Sequence, residues 1–253
     1  MSVWSASKWV LEVPPAPSED AGMKIIMLGV LSLWVATAQA EKLSAVNTGQ
    51  LTQAGSKVEL PGLVIHGGEK KFIEVTGKVA LTNGILEFLA VEPGGREYES
   101  LFAITCKPAA LQFALLLIGC EPGVDPYGGM PAWAKVKTMP GDAIQIEVEW
   151  EQAGKPQRVP VQEWVLDRKT KQPPAKIEWY FSGSYFTKDL DDKDVFLADS
   201  EQAHIAMWLN PSIPVNVRGE FGNPYQGDDQ GFEVNTAKTP PVGTPVKLIL
   251  RKK

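Results

Sequence analysis

The sequence predicts an α+β fold, with a β-rich, mostly antiparallel sheet packed around one buried central helix at about residues 107–119. Two observations support this class. In several segments apolar residues alternate with polar ones, which is the pattern of a strand with one face in water. The run at 107–119 is instead apolar on nearly every side, as expected of a helix enclosed by other elements.

The strand predictions follow from this alternation and from the turn residues between the segments. Asn83-Gly84 favours a hairpin turn, since both positions of a type I′ turn need a positive φ. Pro61-Gly62 weakens the first segment by interrupting it. The expected strands are residues 58–66, 71–81, 85–91, 144–150, 158–166, 177–181 and 246–250.

The helix prediction decides how the chain's two cysteines, Cys106 and Cys120, are related. Pro108 suits the first helical turn because its missing N–H costs nothing there, and Gly119 suits the C-cap. A helix between the cysteines holds them on the order of 20 Å apart. A disulfide needs Cα atoms within roughly 7 Å. We therefore expect two unpaired thiols, most simply as small core residues.

Two other roles for the cysteines are open. Cys106 at a helix N-terminus is a candidate nucleophile because the helix dipole lowers a thiol pKa, and it needs a base such as His204 brought near by the fold. Metal binding is not expected, because the two histidines, His66 and His204, have no paired ligand spacing with the cysteines. No cofactor is expected either.

The N-terminal residues have the pattern of a secretion signal at 23–40. Lys24 precedes an apolar run at 25–35, and Ala38-Gln39-Ala40 is a small-residue cleavage site. We expect cleavage after Ala40 and no membrane span afterwards, because a span needs about 20 apolar residues. An uncleaved anchor is the alternative.

The remaining chain, residues 41–253, contains no linker or repeat and is predicted to be a single domain. Residues 1–22 fit no signal pattern and are interpreted as a mis-called start. The expected location is the periplasm or the exterior. The net charge of −5 and the scattered basic residues argue against a nucleic-acid partner.

Glu97, Glu99 and Ser100 form a candidate polar site before the helix, with Glu99 as a base. The alternative, which we favour, is that they satisfy free N–H groups of the helix or of a nearby turn.

Aromatic and acidic residues further on are candidates for ligand binding. Tyr180 and Tyr185 are amphipathic rings that can stack on a sugar, although core packing is the commoner use of such a segment. Asp189 and Asp191 belong to an acidic run at 189–194, and a second run lies at 227–229. Both runs lack the spacing of a calcium loop, which favours solvated turns.

The run KFIEVTGKVALTNGILEFLAVEPGGREYESLFAITCKPAALQFALLLIGCEPG, residues 71–123, resembles the YdjY domain family. The segments EWVLDRKTKQPP, WYFSGSYFTKD and PPVGTPVKLIL extend the resemblance over most of 58–250. The positions that match most closely are Gly95-Arg96, Glu99-Ser100, Lys107-Pro108, Ala114-Leu115-Leu116, Gly119 and Pro122-Gly123.

The resemblance implies an exported bacterial protein of a mostly uncharacterised family. Some longer members carry ferredoxin-like iron–sulfur modules, but two cysteines cannot supply the four thiolates of a cluster. Tyr98 stands where the family usually has His, so chemistry that rests on that imidazole is lost or altered here. Cys106 and Cys120 stand where the family commonly has small residues, which favours the core interpretation.

Two functional hypotheses follow. The favoured one is a non-catalytic envelope domain that binds a partner protein or a glycan. The alternative is a periplasmic enzyme or redox accessory that uses Cys106 or the Glu99/Ser100 pair.

Overall fold

The computed structural model describes residues 51, 55–125, 128, 141–174, 177–218, 222, 224 and 230–253. These residues lie in one compact unit, Asn47–Lys253. The predicted start extension at 1–22, the signal at 23–40 with its cleavage after Ala40, and the acidic run at 227–229 lie outside the described residues. No helix in the described part is long and apolar enough to cross a membrane.

Strands dominate the described residues, and one long helix and one short helix accompany them. The helices are α1 (Pro108–Leu117) and α2 (Leu197–Glu201). The strands are β1 (Lys57–Leu60), β2 (Leu63–His66), β3 (Phe72–Val79), β4 (Ile85–Leu86), β5 (Phe88–Val91), β6 (Ser100–Ile104), β7 (Ala143–Gln152), β8 (Lys155–Pro160), β9 (Val165–Asp167), β10 (Glu178–Phe181), β11 (Phe186–Lys188), β12 (Asp194–Phe196), β13 (Ala203–Ala206), β14 (Val215–Arg218), β15 (Phe232–Val234) and β16 (Pro245–Lys252).

Eight of the strands close into a barrel in the order β3-β16-β7-β10-β14-β13-β5-β6, and β6 pairs back onto β3. Two of these pairings, β13 with β14 and β5 with β6, are parallel, and the others are antiparallel. The predicted α+β class is wrong, because the protein is mostly β, at 44% strand and 13% helix. Barrel closure depends on pairings between segments distant in sequence, which local alternation does not encode.

The barrel closes where β3 exchanges one neighbour for another. The first half of β3 pairs with β2, and its second half pairs with β6, where Gly77 lies opposite Ile104. A Cβ atom at Gly77 would lie 2.6 Å from the carbonyl oxygen of Ala103. Glycine is therefore needed here because the backbones of β3 and β6 approach closely.

The hairpin expected at Asn83-Gly84 does not form. β4 pairs with β15 instead of with β3, and the Val234 N–H donates to the Gly84 carbonyl oxygen at 3.0 Å. The strand expected at 85–91 is divided at Glu87 into β4 and β5, which belong to different sheets. The turn signal is local, whereas burial of β4 against β15 decides the pairing.

Helix α1 lies within the range that the sequence predicts. Its residues Leu111, Ala114 and Leu115 are fully buried and belong to the main core. Pro108 occupies the first turn, and the chain leaves the helix through Gly119, whose φ is 89°. Gly119 adopts this conformation without a Cβ penalty.

Candidate functional site

Two of the sequence-predicted site residues, Cys106 and His204, lie at the N-terminal end of α1. The connection from β5 to β6, the residue pair Cys106-Lys107, helix α2 and strand β13 meet there. Glu92 follows β5, and its backbone N–H donates to the Gln202 carbonyl oxygen at 2.8 Å. The Ala109 N–H of α1 donates to Asp199 of α2 at 2.9 Å. The fold therefore joins segments that are about 90 residues apart in the sequence.

His204 and Cys106 come together, but not as a base and a nucleophile. The His204 Nε2 atom lies 2.8 Å from the backbone carbonyl oxygen of Cys106, not hydrogen-bonded to its sulfur. Because a carbonyl only accepts, Nε2 carries the proton and donates. Complete burial lowers the pKa of His204 to about 4, so the ring is neutral at neutral pH.

Both thiols are buried and free. Cys106 is 1% exposed, and burial raises its pKa far above the ordinary value, with the Glu92 and Asp199 carboxylates raising it further. Burial, together with the nearby Asp142 carboxylate, raises the pKa of Cys120 to about 12. A thiol that stays protonated is a poor nucleophile, so these environments fit core residues.

Glu92, Lys107 and Asp199 form the first charged cluster of the site. The Lys107 ammonium lies 2.7 Å from Glu92 Oε2. Burial raises the pKa of Asp199 and the Glu92 carboxylate raises it further, although the Ala109 N–H opposes this shift. The cluster therefore holds two carboxylates near one ammonium.

Arg96 is the centre of the second charged cluster. Its guanidinium lies 3.0 Å from Glu201, 3.8 Å from Glu87 and 3.8 Å from Glu99. It also lies over the Phe88 ring, 4.1 Å from the centroid. Burial raises the pKa of Glu87, and the adjacent Glu99 carboxylate raises it further because two close negative charges repel.

The residues next to this cluster differ in accessibility. Ser100 is fully buried, and its hydroxyl donates to the Arg96 carbonyl oxygen at 2.6 Å. The neighbouring Tyr98 is 71% exposed. The Trp208 indole N–H lies close enough to lower the pKa of Glu87, although it does not meet the geometry of a hydrogen bond. Ser100 therefore has a structural contact, and Tyr98 offers an open aromatic ring.

Tyr180 lies in strand β10 of the barrel, and Tyr185 immediately precedes strand β11. They are 8% and 6% exposed, respectively, and burial raises the pKa of both. The Tyr180 hydroxyl donates to Glu178 at 2.9 Å and accepts from Arg218 at 2.7 Å. Neither tyrosine presents an open ring face for stacking.

Asp189 and Asp191 lie at the exposed turn between β11 and β12. The Asp189 carboxylate accepts from the N–H groups of Asp191 and Lys193, each at 2.9 Å, and Asp191 pairs with the Lys193 ammonium at 3.3 Å. These contacts are typical of a stabilised turn. Within the described residues, no group of three or more His, Cys, Asp and Glu side chains is arranged to hold a metal ion.

Sequence reasoning missed four carboxylates of the site: Glu87, Glu92, Asp199 and Glu201. A weak signal existed for two of them, because Glu87 interrupts the apolar run 85–91 and Glu92 ends it. No comparable local signal marks Asp199 or Glu201, since α2 is only five residues long. These residues join the site through the pairing of β13 with β5.

The described residues therefore form a closed eight-stranded barrel with one long helix, α1, and with charged side chains near the N-terminus of that helix. A family model described as the YdjY domain matches residues 65–251. The chain therefore belongs to the YdjY domain family, and the resemblance inferred from the sequence is confirmed. Searches of curated proteins and of solved structures found no match.

Proposed function

We propose that the protein is an exported, non-catalytic binding domain that contacts an envelope protein or glycan through the charged surface beside α1. We call this surface the α1 face. It consists of the carboxylates of Glu87, Glu92, Glu99, Asp199 and Glu201 with the cations Arg96 and Lys107.

The observation that carries the proposal is the excess of carboxylates on the α1 face. Five acidic side chains lie around two basic ones. Arg96 is 30% exposed, Glu201 is 38% exposed and Lys107 is 54% exposed, so a ligand has access to the outer groups. Carboxylate oxygens accept hydrogen bonds from sugar hydroxyls and from basic side chains, which are the donors of a glycan or a protein surface.

The environments of the predicted catalytic groups also support binding over catalysis. The Cys106 thiol stays protonated, and the His204 proton donor is bonded to a backbone carbonyl group. The Ser100 hydroxyl is buried and donates to the backbone. A nucleophile needs an activating base and access to its substrate.

One observation favours the alternative function, an enzyme that uses Glu99. Burial and the adjacent Glu99 carboxylate raise the pKa of Glu87, and a carboxyl group that holds its proton more tightly is suited to act as an acid. In this alternative, Glu99→Gln abolishes turnover of an envelope glycan. In the favoured proposal, no turnover exists to abolish.

The experiment is co-sedimentation of the exported protein with insoluble cell-wall glycan, and capture on solubilised envelope proteins. We expect retention by one of the two, weakened in Glu201→Gln and unchanged in the control Glu69→Gln, which alters an exposed loop before β3. The intact mass of the exported protein shows whether the chain begins at Glu41, as cleavage after Ala40 predicts. Retention by neither fraction, or release of soluble wall fragments, would contradict the proposal.

A further inference from the structure

We infer that Glu92 and Asp199 form a receptor for a guanidinium or ammonium group of a ligand, and that Lys107 occupies this receptor in the free protein. The inference rests on the proposed binding function and names the ligand chemistry of one part of the α1 face. A protein partner would supply this cation as an arginine or lysine side chain.

One oxygen of the Glu92 carboxylate lacks a hydrogen-bond donor in the described part of the chain. Glu92 is 8% exposed, and only its Oε2 atom is bonded to Lys107, at 2.7 Å. The Oε1 atom is buried and has no hydrogen-bond partner among the described residues. A buried acceptor without a donor is costly, and the cost is greater for a charged group. The Glu92 carboxylate therefore keeps an unused capacity to accept a hydrogen bond from an N–H donor.

The cluster of Glu92, Asp199 and Lys107 has more carboxylates than ammonium groups. Burial raises the pKa of Asp199, and Glu92 lies near enough for repulsion between the two carboxylates to raise it further. Lys107 supplies one positive charge against these two negative ones. The N-terminus of α1, which ordinarily attracts anions, is already satisfied where Asp199 accepts from the Ala109 N–H. The remaining charge therefore favours a cation.

The Lys107 side chain is open to solvent, whereas the Glu92 side chain is not. The side chain of Lys107 is 54% exposed, and that of Glu92 is 10% exposed. Lysine has a flexible stem and three rotatable donors, so its ammonium group can move into water without disturbing the fold. A guanidinium has five donors in a planar fork and can bond both oxygens of a carboxylate. It therefore satisfies the Glu92 oxygen that Lys107 leaves without a donor.

The test uses acetyl-arginine-amide as the probe and acetyl-citrulline-amide as its uncharged match, at constant ionic strength. Amide NMR spectra of the folded protein follow Lys107 and Ala109. We expect saturable shifts with the arginine probe and none with citrulline. Lys107→Met removes the competing ammonium but keeps the stem, so binding should strengthen by about threefold, as expected from loss of a half-exposed ion pair. Glu92→Gln should weaken it at least about tenfold.

Glu69→Gln is the control for general surface charge and should bind the probe as the wild type does. The same spectra show whether each variant is folded. If Glu92→Gln does not fold, the affinity of Lys107→Met for the probe still tests the inference. Equal shifts with citrulline, no saturable binding by Lys107→Met, or binding that a folded Glu92→Gln retains would each overturn the inference. If the wild-type protein does not bind the arginine probe but is still retained by cell-wall glycan, this inference is wrong and the proposed binding function is unaffected.

Discussion

Cys106 lies in the main core, in the segment between β6 and α1. Substitution by alanine and by serine tests whether it acts there as a small apolar core residue. We expect Cys106→Ala to lower the free energy of unfolding by about 1 kcal/mol. Cys106→Ser should cost about 1–3 kcal/mol, because it buries a hydroxyl in place of a thiol. Urea unfolding of both variants measures this. A serine variant as stable as the wild type would contradict the core role.

His204 makes the protein's stability depend on pH. Because the fold lowers its pKa from 6.5 to about 4, the unfolded chain binds a proton between these values while the folded chain does not. Stability is therefore lost as the pH falls from 6.5 towards 4. At about 1.4 kcal/mol per pKa unit, the loss amounts to about 3 kcal/mol.

His204→Gln tests this pH dependence. The glutamine amide can still donate to the Cys106 carbonyl oxygen but does not titrate. Urea unfolding at pH 7 and at pH 4.5 should show a smaller acid loss in the variant than in the wild type. Equal losses would mean that the fold does not lower the pKa of His204. Comparing the two proteins removes the contributions of other groups, such as Glu87.

At the scale of elements, the core face of α1 is set by a few residues. Leu111 is fully buried, whereas Leu117 is only partly buried against the core. Leu111→Ala should lower the free energy of unfolding by about 2–5 kcal/mol, because it removes apolar contacts and leaves a cavity. Leu117→Ala is the matched variant and should cost about 1 kcal/mol. Chemical unfolding compares them, and equal costs would contradict the assigned face.

The elements also show what local pattern predicts and what it does not. Strand β7 was predictable from its long alternation and α1 from its apolar run flanked by Pro108 and Gly119, whereas β10 and β16 were predictable from short apolar segments next to turn residues. Strand β15, of three residues, is too short for a period to emerge. Asn83-Gly84 forms a turn signal, but the partners of its flanking strands are chosen by burial against β15, β16 and β6. Pairing at a distance overrides the local preference.

At the scale of the whole molecule, barrel closure depends on Gly77. Alanine there would place its Cβ 2.6 Å from the Ala103 carbonyl oxygen and 2.8 Å from the Ile104 side chain. The backbones of β3 and β6 would have to separate, so Gly77→Ala should cost about 2–3 kcal/mol. The neighbouring Thr76→Ala, on the exposed side of β3, is the control. Thermal unfolding that fails to distinguish the two variants would contradict the closure.

The charged surface was predictable only in part, because strand pairing between distant segments brings its residues together. Glu99, Cys106 and His204 attract attention in the sequence by their residue types. Their surroundings depend on the pairing of β13 with β5, which places His204 against the Cys106 carbonyl group. Burial makes the Cys106 thiol and the His204 imidazole poor catalysts. No local sequence pattern predicts this burial. The family, in contrast, was recognisable because its matching segments are contiguous in the chain.

The binding and enzyme proposals differ most in the state of Cys106, which is a buried core thiol in the first and a nucleophile in the second. Alkylation of the folded protein at neutral pH, repeated in denaturant and followed by intact mass, tests this most directly. We predict that neither Cys106 nor Cys120 is modified until the protein unfolds, because both thiols are buried and protonated. Rapid modification of Cys106 in the folded protein would contradict the account and favour an enzyme.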